Sequence, residues 1–299
     1  MSEGCGWPRF GVAGPAGRSS GPFRFALTLP GALVTLLLIL SALFLLFVLA
    51  FRVNDSSLFG AGFTFDNFVT VASDPLYGLV IARSLVIAGL VTLATVVSAY
   101  PIAYYLSFHA GARRPLILFL VTLPFWTSYL LRVFAWKIVL AYNGVLNSAL
   151  LLTGIWSTPS TAFLNTPAAV VLTLAHAYAP FAILPILVSL DTIPRSLAEA
   201  AADLGARPFT AFRRVILPNS MPGVLAGAVV VFVPTVGDYV TPALVGGPSS
   251  TMIGTLIQAQ FGKAQDWPFG SALAIVVMLV ILAVILAVRF ADRRFGSRA

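Results

Sequence analysis

Long apolar segments constrain this sequence more than any other feature. Residues 31–51 contain no charged side chain, and about 20 consecutive apolar residues are what an α-helix needs to cross the hydrocarbon core of a bilayer. The sequence therefore predicts an all-α integral membrane protein with six transmembrane helices. The other five predicted spans are about 76–107, 115–141, 167–190, 218–242 and 268–290.

The composition excludes the main alternative classes of protein. Only 9% of the 299 residues are charged and 59% are hydrophobic, whereas a soluble globular chain carries about 25% charged residues. The chain is also too hydrophobic to be disordered. Its single cysteine, Cys5, cannot form an internal disulfide, and we assign it no redox or metal-binding role. The sequence has no glycine-rich phosphate-binding motif with a lysine, so we expect that this chain does not hydrolyse ATP.

The basic residues are distributed unevenly between the two sides of the predicted spans. One set of flanks carries thirteen arginines, and the opposite loops carry only Arg52 and Lys263. Because cytoplasmic loops of membrane proteins are enriched in Lys and Arg, both termini are predicted to be cytoplasmic. The net charge of +8 is then a topology signal, and we expect no nucleic-acid partner. The predicted organisation is a cytoplasmic tail at 1–29, a transmembrane domain at 30–290 and a second cytoplasmic tail at 291–299.

The one long cytoplasmic loop, residues 191–217, is the most charged part of the chain. Pro194 suits the first turn of a helix, with Asp191 or Thr192 available as its cap. Alanines propagate this helix, and Gly205 is placed to end it because glycine adopts the left-handed conformation easily. A second short helix is expected after the glycine. This elbow is either an interfacial helix under the bundle or a docking surface for a partner.

The elbow resembles the EAA loop of ABC importer permeases. This resemblance implies the type I permease fold, with the elbow docking into a groove on a separate ATP-binding subunit. The implied partners are a dimer of those subunits, which bind ATP and Mg²⁺, a second homologous permease subunit and an extracytoplasmic substrate-binding protein. The chain is then a non-catalytic subunit of the bacterial inner membrane without a cofactor of its own. The residues that carry the resemblance are Glu199, Ala200, Ala201, Gly205, Leu217 and Pro218.

Four further segments are similar to the spermidine/putrescine permease family. This resemblance implies import of a polyamine or a related small organic amine. Related families carry other solutes such as opines or amino-acid derivatives, and these remain the alternative substrates. The similar segments are 124–132, 237–247, 252–261 and 266–272, which together extend over most of the chain from the third span to the sixth.

Charged residues inside the predicted spans are candidates for the substrate path, because burying a charge in a membrane costs free energy. Asp238 is the only acid among them, beside the basic residues Arg83, Arg132 and Lys137. Continuous helices would place all four in the outer third of the membrane. Asp238 then either receives a cationic amine at a helix break near Gly237 or pairs with a basic residue and locks the gate. The candidate path or gate residues are Asp238, Tyr239, Thr241, Trp126, Ser128 and Arg132.

Two other classes of function fit the sequence poorly. A proton-driven secondary transporter is expected to have internal inverted repeats and a series of acids or histidines at mid-membrane. The sequence offers only Asp238 and His176 for this role, and no visible repeat. An integral-membrane enzyme requires a cluster of catalytic groups, whereas the acidic residues of this chain are few and mostly scattered in loops.

Overall fold

The computed structural model describes residues 22–54, 62–161 and 163–296. Within these ranges the secondary structure is helical, which confirms the predicted all-α class, and a single antiparallel bridge joins Arg52 to Phe63. The predicted tail up to residue 21, including Cys5, lies outside the described residues. The helices are α1 Pro22–Ala50, α2 Asp66–Ser73, α3 Pro75–Phe108, α4 Arg114–Thr122, α5 Tyr129–Val139, α6 Val145–Leu152, α7 Pro167–Asp191, α8 Arg195–Asp203, α9 Pro208–Ala211, α10 Leu217–Val236, α11 Val240–Val245, α12 Ile253–Ala259 and α13 Trp267–Gly296.

Five helices in the described ranges are long and apolar enough to cross a membrane, and a bent pair of helices makes a sixth crossing if it is counted as one span. This agrees with the six predicted spans. The first helix, through Val48, forms a separate compact unit with exposed apolar side chains. The five helical spans are Leu29–Ala50, Pro75–Phe108, Pro167–Asp191, Pro208–Val236 and Trp267–Phe290.

The third span is a broken helix, whereas the heights expected for its charged residues assumed a continuous one. α4 and the 3₁₀ turn Leu123–Trp126 meet α5 at an angle of 91°. Pro124 has no backbone N–H to donate, and Thr127 and Ser128 have ψ angles of 153° and 136°, far from the helical range. The helix therefore stops at this point. The height of Arg132 in the membrane was derived from a straight helix, and that derivation does not hold.

The centre of the fold is the packing of α3, α7 and α10. A Cβ atom at Gly223 of α10 would lie only 2.3 Å from the Cβ of Ser189 on α7, and Gly227 repeats the close approach one turn later. Small residues allow membrane helices to pack this closely. Between α3 and α10, the Tyr100 and Ser220 hydroxyls form a hydrogen bond of 2.8 Å. These contacts hold α10 against α3 and α7.

A second apolar cluster joins α2, α3, α12 and α13. The hydroxyl of Ser84 on α3 accepts a hydrogen bond of 2.7 Å from the backbone N–H of Ile253, the first residue of α12. The next residue, Gly254, lies against the chain beyond α10, where a Cβ atom would come within 2.4 Å of the Gly237 carbonyl oxygen. The start of α12 therefore supports the segment in which α10 ends.

Candidate substrate gate and coupling loop

The fifth span ends at a break near Gly237, as one of the two interpretations of Asp238 expected, and so before the predicted end near residue 242. α10 ends at Val236 and α11 begins at Val240, so that Asp238 lies in the gap between two helices. Its Oδ1 accepts a hydrogen bond of 3.1 Å from the backbone N–H of Val240. Only 8% of Asp238 is exposed. The break therefore holds a buried carboxylate.

The carboxylate of Asp238 is bound by a residue from the other broken span. Tyr129, the first residue of α5, donates its hydroxyl to Asp238 Oδ2 over 2.8 Å. The same hydroxyl lies 2.6 Å from the hydroxyl of Thr241, which is fully buried on α11. Since the tyrosine proton is given to the carboxylate, Thr241 donates to the tyrosine oxygen. Tyr178 of α7 lies close enough to Tyr129 and Asp238 to interact with both.

Asp238 has no ion pair among the described residues. One of the two sequence interpretations required a pair with Arg83, Arg132 or Lys137, and the structure does not contain it. The guanidinium of Arg83 instead donates to the Pro248 carbonyl oxygen over 3.2 Å, and Lys137 is exposed. The buried acid is therefore stabilised by hydrogen bonds and forms no ion pair with the described part of the chain.

Arg132 binds the backbone at the break of the third span. Its Nη2 donates to the carbonyl oxygens of Pro124, Phe125 and Thr127 over 2.7, 3.3 and 3.2 Å. Its Nη1 donates to the carbonyl of Ala177 on α7 over 3.1 Å. Non-helical backbone at membrane depth needs partners for its polar groups because lipid offers none. The side chain of Arg132 supplies them, and it ties the bend to α7.

The candidate gate residues separate into two groups. Asp238 and Thr241 come together, whereas the side chains of Trp126 and Ser128 are exposed, and Trp126 is 80% exposed. Tyr239 is also exposed, with 46% of its surface accessible. None of these three side chains hydrogen-bonds to Asp238 among the described contacts.

The sequence did not single out Tyr129 as the hydrogen-bond partner of Asp238. The available signal was its place in the 124–132 segment, three residues before Arg132 and therefore on the same face of a helix. What the sequence did not reveal was that the helix begins at Tyr129, which brings its hydroxyl to the break of another span.

The coupling elbow has the predicted helix–glycine–helix form. α8 ends at Asp203, and Gly205 follows with a φ of 78°, in the left-handed region that glycine adopts at low cost. The N–H of Ala206 donates to the Ala201 carbonyl and that of Gly205 to the Ala202 carbonyl, over 3.0 and 2.8 Å. This is the Schellman pattern of helix termination. Open space surrounds the position of a Cβ atom at Gly205, so the requirement for glycine there is conformational.

The cap predicted for the first elbow helix is wrong. Pro194 occupies the position before α8, and no side chain caps the helix. Asp191 ends α7 instead, where its carboxylate accepts hydrogen bonds from Ser107 and Arg114. The side chain therefore satisfies partners on α3 and α4 and is not available to the elbow helix.

The elbow continues without interruption into the fifth span. α9 passes through a π-helical turn, Phe212–Ile216, into α10, so that Pro208–Val236 is one apolar helical segment. Pro218 lacks a backbone N–H, and the N–H of Leu217 donates to the Phe212 carbonyl, five residues back. α10 itself begins at Leu217, next to the predicted start at Pro218. The helical segment that contains it, however, already begins at Pro208.

The surface of the elbow is open. Glu199 and Ala200 are exposed, and Ala201 is partly exposed. Two apolar side chains next to them are also exposed, with 89% of Leu204 and 71% of Phe209 accessible. Leu204 lies outside the apolar segments that could cross a membrane, and large exposed apolar groups in such places commonly mark a surface that binds another protein.

Residues 78–297 match the family described as "Binding-protein-dependent transport system inner membrane component". The chain belongs to this family. This permease is accordingly a transport component and not a catalyst, and an ATPase and a substrate-binding protein are its partners in an importer. Among its described residues, no cluster of three or more His, Cys, Asp or Glu side chains is placed to hold a metal ion.

Two named relatives align with most of this permease. The spermidine/putrescine transport system permease protein PotB of Escherichia coli (strain K12) is 39% identical over 245 residues, which are 81% of this chain and 88% of PotB. PotB of Haemophilus influenzae is 37% identical over 255 residues, with 85% and 88% of the two chains covered. Membership of the polyamine permease group, inferred from the 124–132 and 237–272 segments, is confirmed by these relatives.

The fold also matches a solved importer. A chain from the crystal structure of a bacterial alginate ABC transporter superposes with a TM-score of 0.69, covering 91% of this permease and 94% of that chain at 20% sequence identity. At this identity the likeness concerns the fold alone. The predicted type I importer permease fold is therefore confirmed.

Proposed function

We propose that this permease carries a polyamine such as spermidine or putrescine, or a related small amine, as one subunit of an ATP-driven importer. The relatives described above bear the name of spermidine/putrescine transport. The observation that carries the proposal is the buried carboxylate of Asp238, which lies at a helix break without a cationic partner among the described residues. A buried charge without a partner is costly, and the ammonium group of a substrate is a suitable partner.

The hydrogen bonds of Asp238 leave room for such a substrate. A carboxylate has about four positions at which its two oxygens accept hydrogen bonds. Tyr129 occupies one position on Oδ2, and the Val240 N–H occupies one on Oδ1. About two positions remain for an ammonium group.

The basic residues of the gate repel a cationic substrate less strongly than their number suggests. The guanidinium of Arg132 faces four backbone carbonyls, whose partial negative charges surround it. The guanidinium of Arg83 is bound to the Pro248 carbonyl. Both side chains therefore act on the backbone that shapes the gate, and Asp238 is left to the substrate.

The proposed coupling follows from the continuity of the elbow with the gate. The helical segment Pro208–Val236 has 29 residues, which is about 43 Å at 1.5 Å per residue. It begins in the elbow and ends two residues before Asp238. When ATP closes two ATPase subunits that hold the elbow, this segment transmits the displacement to the gate, and the spans change between inward-open and outward-open arrangements.

The proposed assembly contains a dimer of ATP-binding subunits, a second homologous permease subunit and an extracytoplasmic substrate-binding protein. Both termini of this permease are cytoplasmic in the proposal, because thirteen of the eighteen basic residues flank the same side of the spans. The ATPase subunits hold ATP and Mg²⁺, and this chain needs no cofactor of its own.

Transport by the assembled importer in proteoliposomes tests the proposed substrate. Asp238→Asn removes the charge and keeps the shape, so we expect labelled spermidine uptake to fall at least tenfold while the complex still assembles. Asp66→Asn, at an exposed acid of α2, is the matched control and should transport normally. Undiminished uptake by an assembled Asp238→Asn complex would contradict substrate contact, and a wild-type complex that imports an opine but not spermidine would contradict the polyamine assignment.

A further inference from the structure

A polar cleft of about 300 Å³ lies beside the base of the elbow. Its lining includes Ser107 at the end of α3, Arg114 at the start of α4, Asp191 at the end of α7 and Arg195 at the start of α8. The ends of four helices therefore meet at this cleft, and each end contributes a polar side chain. The cleft is distant in sequence from the gate residues at 129 and 238, and the proposed transport of an amine does not use it.

One carboxylate joins three of these helices. The Oδ1 atom of Asp191 accepts a hydrogen bond of 2.8 Å from the Ser107 hydroxyl. Its Oδ2 atom forms an ion pair with Nη2 of Arg114. Because Arg114 begins the bent third span, this ion pair connects the helix that leads into the elbow with the span that carries Tyr129 and Arg132.

A second guanidinium lines the same cleft. Arg195 is the first residue of α8, the helix that carries the EAA residues. It forms no ion pair with Asp191 among the described contacts. Two guanidinium side chains from different helices thus line the cleft that holds Asp191. In this structure the acid is bound to the guanidinium of the third span.

The ion pair is suited to being broken and remade. The side chains of Arg114 and Asp191 are 36% and 32% exposed, and ion pairs that water reaches contribute little to stability. When such a pair opens, water hydrates both groups, so neither charge is left buried without a partner. An exchange of partner is consequently a low-cost event in comparison with the breaking of a buried pair.

We infer that Asp191 exchanges its ion-pair partner between Arg114 of the third span and Arg195 of the elbow helix during the transport cycle. Asp191, Arg114 and Arg195 are then positioning residues that convert movement of the elbow into release of the bent span. The inference rests on the proposed coupling through the elbow. It adds a second connection from the ATPase side to the gate, beside the continuous Pro208–Val236 helix.

Charge exchange within the cleft tests this inference in the fully assembled importer. Asp191→Asn should leave the complex assembled but lower ATP hydrolysis stimulated by spermidine-loaded binding protein at least fivefold. Arg114→Asp combined with Asp191→Arg keeps one ion pair but leaves the reversed residue facing Arg195, so stimulation should stay low. Adding Arg195→Asp reverses all three charges, permits the exchange again, and should recover at least half of the wild-type stimulation.

The series separates an exchange from a fixed link. Full recovery in the double variant would overturn the inference, because a static ion pair would then be sufficient. Failure of the triple variant, with co-purification and thermal stability like those of the wild type, would overturn it as well. If the wild-type complex itself shows no response to spermidine-loaded binding protein, the proposed function fails, and that result is seen before any variant is compared.

Discussion

Tyr129 donates its hydroxyl to the carboxylate of Asp238 over 2.8 Å, and this hydrogen bond joins the two broken spans of the fold. Tyr129 is the first residue after the 91° bend of the third span, and Asp238 lies in the gap after α10. Both breaks expose polar groups that a continuous helix would have hidden. The gate is therefore built where two helices stop, which explains why its residues are far apart in the sequence.

Replacing Tyr129 by Phe removes only the hydroxyl from this contact. Hydrogen bonds to charged groups contribute about 1.5–3 kcal/mol, so we expect spermidine uptake by the reconstituted importer to fall by about tenfold or more. Tyr142→Phe, at an exposed tyrosine, makes the same chemical change and should leave uptake unaltered. Equal uptake by the two variants would show that the contact is not needed for transport.

Replacing Arg132 by Lys keeps the charge but loses the planar group that reaches several carbonyls at once. With hydrogen bonds of about 1 kcal/mol each, the loss of most of four contacts should destabilise the permease by roughly 3 kcal/mol. Thermal unfolding of the detergent-solubilised permease measures this as a lower midpoint temperature. Lys137→Gln, at an exposed position on the same helix, is the control. A midpoint unchanged by Arg132→Lys would mean that the bend does not depend on the guanidinium.

The effect of substituting Gly205 should depend on backbone preference and not on size, since no atom of the described residues lies within 4 Å of an added Cβ. Valine disfavours the left-handed conformation, at a cost of about 1–2 kcal/mol, whereas asparagine tolerates it. We expect Gly205→Val to reduce co-purification of the ATPase subunit by about tenfold and Gly205→Asn to have a small effect. Similar losses in both variants would point to a contact of the glycine itself with the ATPase.

Gly223→Ala should weaken the packing of α7 against α10. The added methyl group would lie 2.3 Å from Ser189 Cβ, and overpacking of this kind costs about 1–3 kcal/mol. Gly89→Ala on α3 places the same methyl group in open space and provides the control. The midpoints of thermal unfolding should fall for Gly223→Ala and stay level for Gly89→Ala. A fall of the same size in both variants would contradict the packing explanation, because helix propensity by itself favours alanine over glycine.

Leu204→Ser tests the exposed apolar surface of the elbow. Burial of a leucine side chain against a partner contributes about 1.5–3 kcal/mol, so the ATPase subunit should bind at least tenfold more weakly, with little change in the stability of the isolated permease. Leu152→Ser is the matched control because both leucines are 89% exposed, and Leu152 lies at the end of α6. Binding that falls equally for both variants would exclude a specific role for Leu204.

Several elements of the fold follow from local residue patterns. The apolar segments predicted the spans, because the length needed to cross a bilayer is fixed by its thickness. Gly205 predicted the end of α8, since few other residues adopt a φ of 78°. Gly237 indicated the break after α10 that one of the two interpretations of Asp238 expected. In each case the information lies within a few neighbouring residues, and no distant contact was needed.

The partners of the charged residues could not be predicted in the same way. Asp238 and Arg132 are both isolated charges in apolar surroundings, which suggests an ion pair, yet one binds Tyr129 and the other binds four carbonyls. The bend at Thr127 and Ser128 created three of these carbonyl acceptors, and the fourth, that of Ala177, lies on α7. Asp191 likewise fits a helix cap by sequence but binds Arg114, which lies 77 residues away.

By itself, the sequence determined a six-span membrane protein with a glycine-ended elbow, because apolar length and backbone preference are local properties. The tertiary structure alone decided which polar groups meet, because these contacts depend on where helices bend and which ends they bring together. In an environment without water, each exposed polar group must find a partner within the protein. For Arg132 the nearest partners are the carbonyls of the bend, and the Asp238 carboxylate is left with Tyr129.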